Sequence, residues 1–396
     1  MKIKRVSAVI LTGNYADSRD AEVLIHLNNQ KRHCGIVEIE LENGVTGIGE
    51  GYMAVFAPIV FKTFTEFYAP HLIGKDGFAI NELYAKCCNL TNYFSLQGAA
   101  RHVISAIEMA LWDAKAKTLG LPVYDLLGGR KSNKLKLYAS AGDFTLKAQV
   151  DEELVLCKDL GIDTLKIRLR ERDVNKGKFV LHRADKIGIK IAIDFCQNIT
   201  VPSLGVSDII RFINEIIGGK IGNVQFIEEA LGPNTRKFYP EFRNKIPLKF
   251  AGGETLTTPE EFFEVINQKY FDYVQPDSSV CGGISAVYDI CKYASAQGIS
   301  SVVHNWGSSI SLMANYHAAI ASGCLLAEWP IKKNHIRDQL FNTTPEILNG
   351  YFIMPNNIGL GVTLTDRIRA QNMFDPTCNY QWDGEFTGLP DDEYWK

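Results

Sequence analysis

Ile191-Ala-Ile-Asp194 is a short apolar run that ends in an acidic residue, and the pattern recurs along the chain. One unit later it reappears as Val224-Gln-Phe-Ile-Glu228. Apolar runs begin at Leu135, Thr164, Ile191, Val224, Leu248, Tyr273, Ser301 and Leu325. Successive starts lie roughly 24 to 33 residues apart, which leaves room for one strand, one helix and two loops. This repeat predicts an α/β fold with a parallel TIM-type barrel over residues 133–330.

An open doubly wound sheet produces a similar alternation of strands and helices. The repeat has eight units, and no Gly-rich turn of the dinucleotide-binding type follows its strands. Both observations favour the barrel.

The chain before the barrel changes from strand patterns to helix patterns. Residues 37–41 alternate apolar and acidic side chains, and Asn43-Gly44 is a hairpin signal. Helical spacing follows from about Ala99 to Leu119. These patterns predict an α+β domain over residues 1–132. Residues 331–396 show no further βα repeat, and we expect this segment to pack back on that domain.

Composition limits the possible functions. Of the 396 residues, 46% are hydrophobic and 22% charged, which is typical of a globular protein. The formal net charge of -3 and the lack of a long Lys/Arg run argue against a nucleic-acid partner. Nine cysteines without a metal-binding spacing suggest reduced thiols. No signal peptide or membrane span is evident, so we expect a cytoplasmic location.

Ionisable residues end seven consecutive predicted barrel strands. A single one is explained by an ion pair or a helix cap, but seven in series are not. The carboxyl ends of barrel strands are where active sites form. The residues are Lys166, Asp194, Glu228, Glu254, Asp277, His304 and Glu328.

The three acids on adjacent strands predict a metal site. Asp194, Glu228 and Glu254 would direct three carboxylates at one small volume, where like charges repel. A hard divalent cation relieves this repulsion, and oxygen ligands suit Mg²⁺. Pairing with Lys or Arg is the structural alternative. Zinc is disfavoured because no His or Cys pair accompanies the acids, although Cys196 is close.

Lys166-Ile-Arg168 places two basic side chains on one face of the second barrel strand. The charge of Arg168 is expected to disfavour protonation of Lys166 and to make it a usable base. Because Arg170 continues the series, a solvated basic strand end is the alternative.

Asp277 and His304 end adjacent strands, so the carboxylate can orient the imidazole and favour its protonated form. A buried core histidine is the alternative. Glu328 ends the eighth strand, where a protonated carboxyl group could donate a hydrogen bond to an enolate oxygen. A salt bridge from Glu328 to Lys332 or Lys333 is the alternative.

In these residues the chain resembles the enolase superfamily and, within it, the mandelate racemase subgroup. Ser105-Ala-Ile-Glu-Met-Ala-Leu-Trp-Asp, the strand-end series and Gly359-Leu-Gly-Val follow the family's order over nearly the whole length. The resemblance implies a modified (β/α)7β barrel under an α+β cap formed by both termini. It also implies Mg²⁺ on Asp194, Glu228 and Glu254, with Lys166 and His304 on opposite faces of the substrate.

The resemblance further implies that cap loops around Asn14 to Arg19 and Glu50 to Val55 select the substrate. Tyr15 and Tyr52 are therefore candidate substrate contacts, although both could be packing residues. Cys196 stands where relatives often carry a substrate-facing Asn, and Gln197 and Asn198 follow it. Ala230 stands where relatives usually carry Pro.

The resemblance implies an acid-sugar dehydratase, a hydro-lyase that removes an α-proton and eliminates a β-hydroxyl to give a 2-keto-3-deoxy sugar acid. A racemase or epimerase of a 2-hydroxy acid, acting through the same enediolate, is the alternative. An inactive binding scaffold is a remote third. We expect a small carboxylate substrate and a homo-oligomer.

Overall fold

The amino-terminal region forms a three-stranded antiparallel sheet covered by helices. The computed structural model describes residues 1–170, 172–196, 204–219, 221–324, 326–381 and 389–396. Leu325, Gln197, Asn198 and part of the carboxyl-terminal tail therefore lie outside the described residues. The strands are β1 (Ile3–Asn14), β2 (Lys31–Leu41) and β3 (Thr46–Gly51), in the order β1-β2-β3. The helices are α1 (Ala21–His26), α2 (Pro58–Leu72), α3 (Ile80–Thr91), α4 (Ala99–Leu119) and α5 (Val123–Leu126).

Two glycines of β3 allow α4 to lie directly on the sheet. A Cβ atom on Gly47 would lie 2.0 Å from the carbonyl oxygen of Ala110, and one on Gly49 would lie 2.0 Å from that of Ala106. Such distances are far inside van der Waals contact, so no larger residue fits at either position. The Gly-Ile-Gly pattern of this strand thus sets how closely the helix packs.

The next eight strands form one parallel sheet, as the repeat predicted. They are β4 (Lys134–Ser140), β5 (Thr164–Arg168), β6 (Lys190–Asp194), β7 (Val224–Glu228), β8 (Phe250–Gly252), β9 (Tyr273–Val274), β10 (Ser300–Ser301) and β11 (Leu326–Pro330). The intervening helices are α6 (Lys147–Asp159), α7 (Val174–Asp185), α8 (Val206–Ile217), α9 (Tyr239–Lys245), α10 (Pro259–Asn267), α11 (Ile284–Ala296) and α12 (Ser309–Ser322).

Within the described residues, a single bridge connects the two ends of the strand series. Each strand from β4 to β9 pairs with the next, and β11 pairs with β4. A parallel bridge between Val303 and Ala327, with a 3.1 Å hydrogen bond from Glu328 N to Val303 O, links the segment after β10 to β11. The interior is filled by Tyr138, Ala192, Phe226, Ala251, Tyr273 and Val302.

The carboxyl-terminal segment contacts both units. It contains α13 (His335–Leu340), β12 (Ile347–Leu348), β13 (Tyr351–Ile353) and α14 (Asp366–Gln371). Strand β13 pairs antiparallel with β4 of the barrel, whereas Met373 bridges to Leu11 of the amino-terminal sheet. The division at residues 132 and 330 stays a prediction. In the described ranges, no helix is both long enough and apolar enough to cross a bilayer.

Two buried carboxylates from the amino-terminal domain cap barrel helices. Glu50 accepts hydrogen bonds from the Ser308 N–H (2.9 Å), the Ser308 hydroxyl (2.7 Å) and the Ser311 N–H (3.2 Å) at the start of α12. Glu108 accepts from Ile284 N at 2.7 Å, at the start of α11. Negative charge is favourable at a helix amino terminus, so these contacts hold the domain on the barrel.

Replacing Glu50 with Ala should lower the free energy of unfolding by about 3 kcal/mol, because several buried donors lose their acceptor together. Chemical denaturation of wild type and variant measures the change. Glu42→Ala is the matched control because Glu42 is exposed. Equal free energies of unfolding for Glu50→Ala and Glu42→Ala would contradict the role of Glu50 in holding the amino-terminal domain on the barrel.

Candidate active site

Lys166 lies among three of the predicted acidic residues. Its Nζ is 2.7 Å from Glu228 Oε1, 2.9 Å from Glu328 Oε1 and 3.8 Å from Asp194 Oδ2. All four side chains are buried. The carboxyl ends of β5, β6, β7 and β11 thus bring these residues together, as parallel strand ends in a barrel do.

The expected effect of Arg168 on Lys166 is not what the structure shows. Burial lowers the pKa of Lys166, but the charges of Glu228 and Glu328 outweigh it and hold that pKa well above its usual value. The Arg168 guanidinium instead lies near Asp194, at 3.8 Å, and donates to Ala141 O at 3.1 Å. The nearest charges therefore make Lys166 an ammonium in this arrangement.

His304 and Asp277 form the expected pair. His304 Nδ1 lies 2.9 Å from Asp277 Oδ2, and its Nε2 lies 3.2 Å from Glu254 Oε2. Asp277 is held by Ser279 Oγ at 2.8 Å and by Asn315 Nδ2 at 3.1 Å. Burial lowers the pKa of His304, but the surrounding carboxylates raise it well above its usual value. The imidazolium form predicted for this residue is consistent with the geometry.

Glu328 lies between the two proton-transfer candidates. One of its oxygens is 2.9 Å from Lys166 Nζ and the other is 3.9 Å from His304 Nε2. Burial raises the pKa of Glu328, but Lys166 and His304 together hold it below its usual value. The expected protonated carboxyl group is therefore not the form favoured here, because two cations flank it.

The candidate metal ligands form an all-oxygen donor set. Burial and the charges of its acidic neighbours raise the pKa of Glu228, despite Lys166, and burial also raises that of Asp194. Charge repulsion of this kind is what a divalent cation relieves. Within the described ranges, no group of three His, Cys, Asp or Glu side chains has a ready-made metal-binding geometry, and Lys166 supplies the positive charge. The donor chemistry fits Mg²⁺, and the ligand assignment stays a prediction.

The predicted substrate contacts lie at the same end of the barrel. The rings of Tyr15 and Tyr52 are 6.3 Å and 5.0 Å from that of Trp306, which follows His304 by two residues. Cys196 is partly exposed, and its N–H donates to Asp194 Oδ1 at 2.7 Å. A role of Cys196, Tyr15 or Tyr52 in binding substrate stays a prediction.

Several polar residues near the site were not predicted from the sequence. Gln275 donates to Glu228 Oε2 at 2.8 Å, and Asn315 donates to His304 O at 2.8 Å. Gln275 could have been identified, because it directly follows β9 at the carboxyl end of a barrel strand, where site residues lie. Asn315 lies within the apolar helix α12, where no sequence pattern marks it.

Asp143 follows β4 and holds the start of α1 against the barrel. Its Oδ2 accepts from Glu22 N at 2.7 Å, and its Oδ1 lies 3.4 Å from Arg170 Nη1. Burial opposes ionisation of Asp143, but Arg170, Lys332 and Arg168 hold its pKa well below its usual range. This buried anion couples a cap loop to the barrel mouth.

Asp143→Asn should lower the free energy of unfolding by about 3 kcal/mol at neutral pH, because it leaves buried cations unpaired. The folded pKa is depressed, so this stabilisation is present above the ordinary Asp pKa of about 3.9 and is lost as pH falls below it. Denaturation of both proteins across the acid range measures the difference. Asp163→Asn, at a more exposed position, is the control. If the difference in free energy of unfolding between wild type and Asp143→Asn did not change with pH, Asp143 would not be the buried anion inferred here.

Aromatic rings cover the barrel mouth. The ring of Trp306 lies 5.9 Å from that of Phe56 and 5.9 Å from that of Tyr380 in the carboxyl-terminal segment.

A cavity of about 10 Å³, lined in part by Tyr15, Arg168 and Trp306, adjoins this aromatic cluster. A much larger cavity, about 760 Å³, lies at the opposite end of the strands beside Lys134 and Ser300, away from the candidate residues. Chemistry rather than cavity size therefore identifies the site.

Comparisons with known proteins agree with this architecture. Residues 149–368 match the family described as enolase C-terminal domain-like, and residues 18–128 match the mandelate racemase/muconate lactonizing enzyme N-terminal domain. A protein named arabinonate dehydratase from Saccharolobus solfataricus is 29% identical over 89% of this chain and 94% of its own. A D-galactonate dehydratase from Pectobacterium atrosepticum is 26% identical over 86% of this chain and 91% of its own.

Solved structures show the same fold. The 3,6-anhydro-D-galactonate cycloisomerase from Zobellia galactanivorans superposes with a TM-score of 0.81 at 24% identity, over 93% of this chain and 99% of its own. A variant of L-talarate/galactarate dehydratase, liganded with Mg and L-glucarate, superposes with a TM-score of 0.77 at 23% identity, over 94% and 92%. The predicted fold class is confirmed, and the named relatives confirm the prediction of an enzyme. The chain belongs to the mandelate racemase/muconate lactonizing enzyme family of the enolase superfamily.

Proposed function

We propose that this chain removes the proton beside a sugar-acid carboxylate and then eliminates water, with Mg²⁺ held by Asp194, Glu228 and Glu254. The position of Glu328 between Lys166 and His304 carries the proposal. A substrate α-carbon opposite this carboxylate has one proton-transfer group on each side. Similarity to proteins named arabinonate dehydratase and D-galactonate dehydratase supports the choice of a sugar acid and of dehydration.

Lys166 is the proposed base. Bound Mg²⁺ would neutralise the buried carboxylates and the negative charge that develops on the substrate carboxylate. With the charges of Glu228 and Asp194 neutralised, only the ion pair with Glu328 would still raise the pKa of Lys166 strongly. Arg168 then remains as a neighbouring cation on the same strand face, so the neutral amine becomes accessible.

His304 is the proposed acid. Its Nδ1 is held by Asp277, so its Nε2 is the nitrogen that faces Glu254 and Glu328. An imidazolium in this position can protonate a departing β-hydroxyl group, because Nε2 faces the interior of the site. Ser279 and Asn315 keep the carboxylate of Asp277 in place during that transfer.

Glu328 is the proposed hydrogen-bond partner of the enediolate. A substrate carboxylate beside it would repel its charge and so favour the protonated form, which can donate. The Asn305 N–H, 3.1 Å from Glu328 Oε2, keeps the carboxyl group oriented.

A racemase or epimerase is the second candidate. Lys166 and His304 contact different oxygens of Glu328, so either could return a proton to the same enediolate. An inactive scaffold is disfavoured because every proposed acid, base and ligand position is occupied by a chemically suitable residue.

A screen of aldonic and aldaric acids with Mg²⁺ tests the proposal. We expect 2-keto product from at least one acid of the panel, detected with a carbonyl reagent. Solvent deuterium entering recovered substrate without keto product would instead establish the racemase or epimerase. Neither product nor exchange with any acid would contradict both activities.

A further inference from the structure

The guanidinium of Arg32 lies on the cap side of the candidate site, and one of its nitrogens has no hydrogen-bond partner in the described part of the chain. It lies 4.0 Å from the ring centroids of both Tyr15 and Trp306, and Nη2 donates to the carbonyl oxygen of Trp306. The residue is only 5% exposed, yet Nη1 has no hydrogen-bond partner among the residues that the structure describes. A buried cation with an unused donor is costly unless a ligand supplies the acceptor.

Glu22 is the matching acceptor on α1. It is also 5% exposed, and its Oε1 has no hydrogen-bond partner within the described part of the chain. Its Oε2 lies 3.5 Å from the hydroxyl of Tyr15. The hydrogen bond from its backbone N–H to Asp143 ties this residue to the barrel, so the position of its backbone is set by the fold.

Tyr15 and Tyr52 place both charges at the candidate active site. Tyr15 contacts Arg32 with its ring and Glu22 with its hydroxyl. Burial raises the pKa of Tyr52 well above its usual value, and the charges acting on this phenol are those of Glu254, Arg32, Asp277 and Glu22. Arg32 and Glu22 therefore lie on the cap side of the candidate active site, beside Tyr15, and Arg32 also contacts Trp306, which follows His304 by two residues.

Nearby basic residues form salt bridges within 4.0 Å, whereas Arg32 forms none with the residues that the structure describes. Arg170 lies 3.4 Å from Asp143, Lys332 lies 3.0 Å from Asp20 and Arg168 lies 3.8 Å from Asp194. Within the described residues, the donor without a partner thus belongs to the cation Arg32, and the acceptor without a partner belongs to the anion Glu22. A hydroxyl group can accept from Arg32 and donate to Glu22, whereas a carboxylate could serve only Arg32.

Resting on the proposed function, we propose that Arg32 and Glu22 bind the uncharged, polyhydroxylated end of the substrate, which is therefore an aldonic acid and not an aldaric acid. A second carboxylate at this end would lie beside the carboxylate of Glu22 in a site shielded from water. Like charges repel strongly under these conditions. The substrate then carries its only carboxylate at the end where the reaction occurs.

Binding and turnover of stereochemically matched aldonic and aldaric acids test this inference. Affinity is measured by calorimetry with Mg²⁺ and the Lys166→Met protein, in which turnover is blocked, and kcat/KM is measured with wild type. We expect each accepted aldonic acid to bind at least about tenfold more tightly than its aldaric partner. In Glu22→Gln, which keeps shape but removes charge, this ratio should approach one. Arg32→Lys should weaken binding of the aldonic acid, whereas the discrimination against aldaric acids that Glu22 produces should remain.

Glu82→Gln is the matched control, since Glu82 is an exposed carboxylate of the same domain. Thermal melting verifies that each variant is folded, and the wild-type ratio decides the matter even if a variant does not fold. Equal or tighter binding of aldaric acids, no binding of either class, or an unchanged ratio in folded Glu22→Gln would each overturn the inference. Binding without any 2-keto product would instead count against the proposed function alone.

Discussion

Lys166→Met should lower kcat on the dehydrated acid by about a thousandfold, the usual range for loss of a positioned general base. Methionine is close to lysine in length and removes both the amine and its charge. Because the α-proton would have no acceptor, exchange of that proton with solvent deuterium should fall with the rate of 2-keto product formation. Steady-state kinetics and proton NMR in deuterated buffer measure the two quantities.

Lys136→Met is the control for this experiment. Lys136 belongs to barrel strand β4 but pairs with Asp163 away from the site. His304→Asn should also lower product formation, whereas its effect on proton exchange shows which of the two residues takes the proton. Retention of full exchange and turnover in both Lys166→Met and His304→Asn would refute the mechanism.

Removal of divalent metal should abolish measurable turnover and lower thermal stability. A ligand that binds only the folded state at about 100 times its Kd stabilises that state by about 2.7 kcal/mol. Glu228→Gln should lose most of this stabilisation and lower kcat by at least about a hundredfold, because one ligand charge of the three is removed. Melting curves with chelator and with added Mg²⁺ measure the first effect, and activity titrated with Mg²⁺ measures the second.

Glu241→Gln controls for the general loss of an acidic residue, since Glu241 is exposed on α9. Glu228 also accepts hydrogen bonds from Lys166 and Gln275, so the variant is compared with wild type in chelator as well. Full activity of wild type in excess chelator would exclude the proposed metal role. A Mg²⁺-dependent rise in melting temperature that persists unchanged in Glu228→Gln would exclude this residue as a ligand.

The barrel and the positions of the acidic strand ends could be predicted from the sequence. An apolar run that repeats with each βα unit has few alternative folds, and the residue that ends such a run must lie at the mouth of the barrel. Asp194 and Glu228 could be predicted as neighbours for this reason, and the structure pairs them in register on β6 and β7.

The protonation states of the site could not be predicted in this way. Sequence adjacency suggested that Arg168 controls Lys166, but Glu228 and Glu328 lie 2.7 Å and 2.9 Å from the amine although they are distant in the chain. Coulomb energy depends on distance in space, and burial strengthens it. The same reason explains why Glu328 is flanked by two cations and favours the ionised form here.

The fold class and the strand ends that carry ionisable groups thus followed from periodicity and local order in the chain, and the order of its motifs carried the resemblance to the enzyme family. Three-dimensional packing was needed to show how the cap is joined to the barrel through Glu50 and Glu108. It also showed that Arg32 and Glu22 each have a buried polar atom without a hydrogen-bond partner among the described residues. Those contacts connect distant segments, since Arg32 and Trp306 are separated by 274 positions and Glu50 and Ser311 by 261. A buried polar atom is paired only if a suitable side chain lies beside it in the folded protein. No sequence pattern within either segment shows which side chains will lie there.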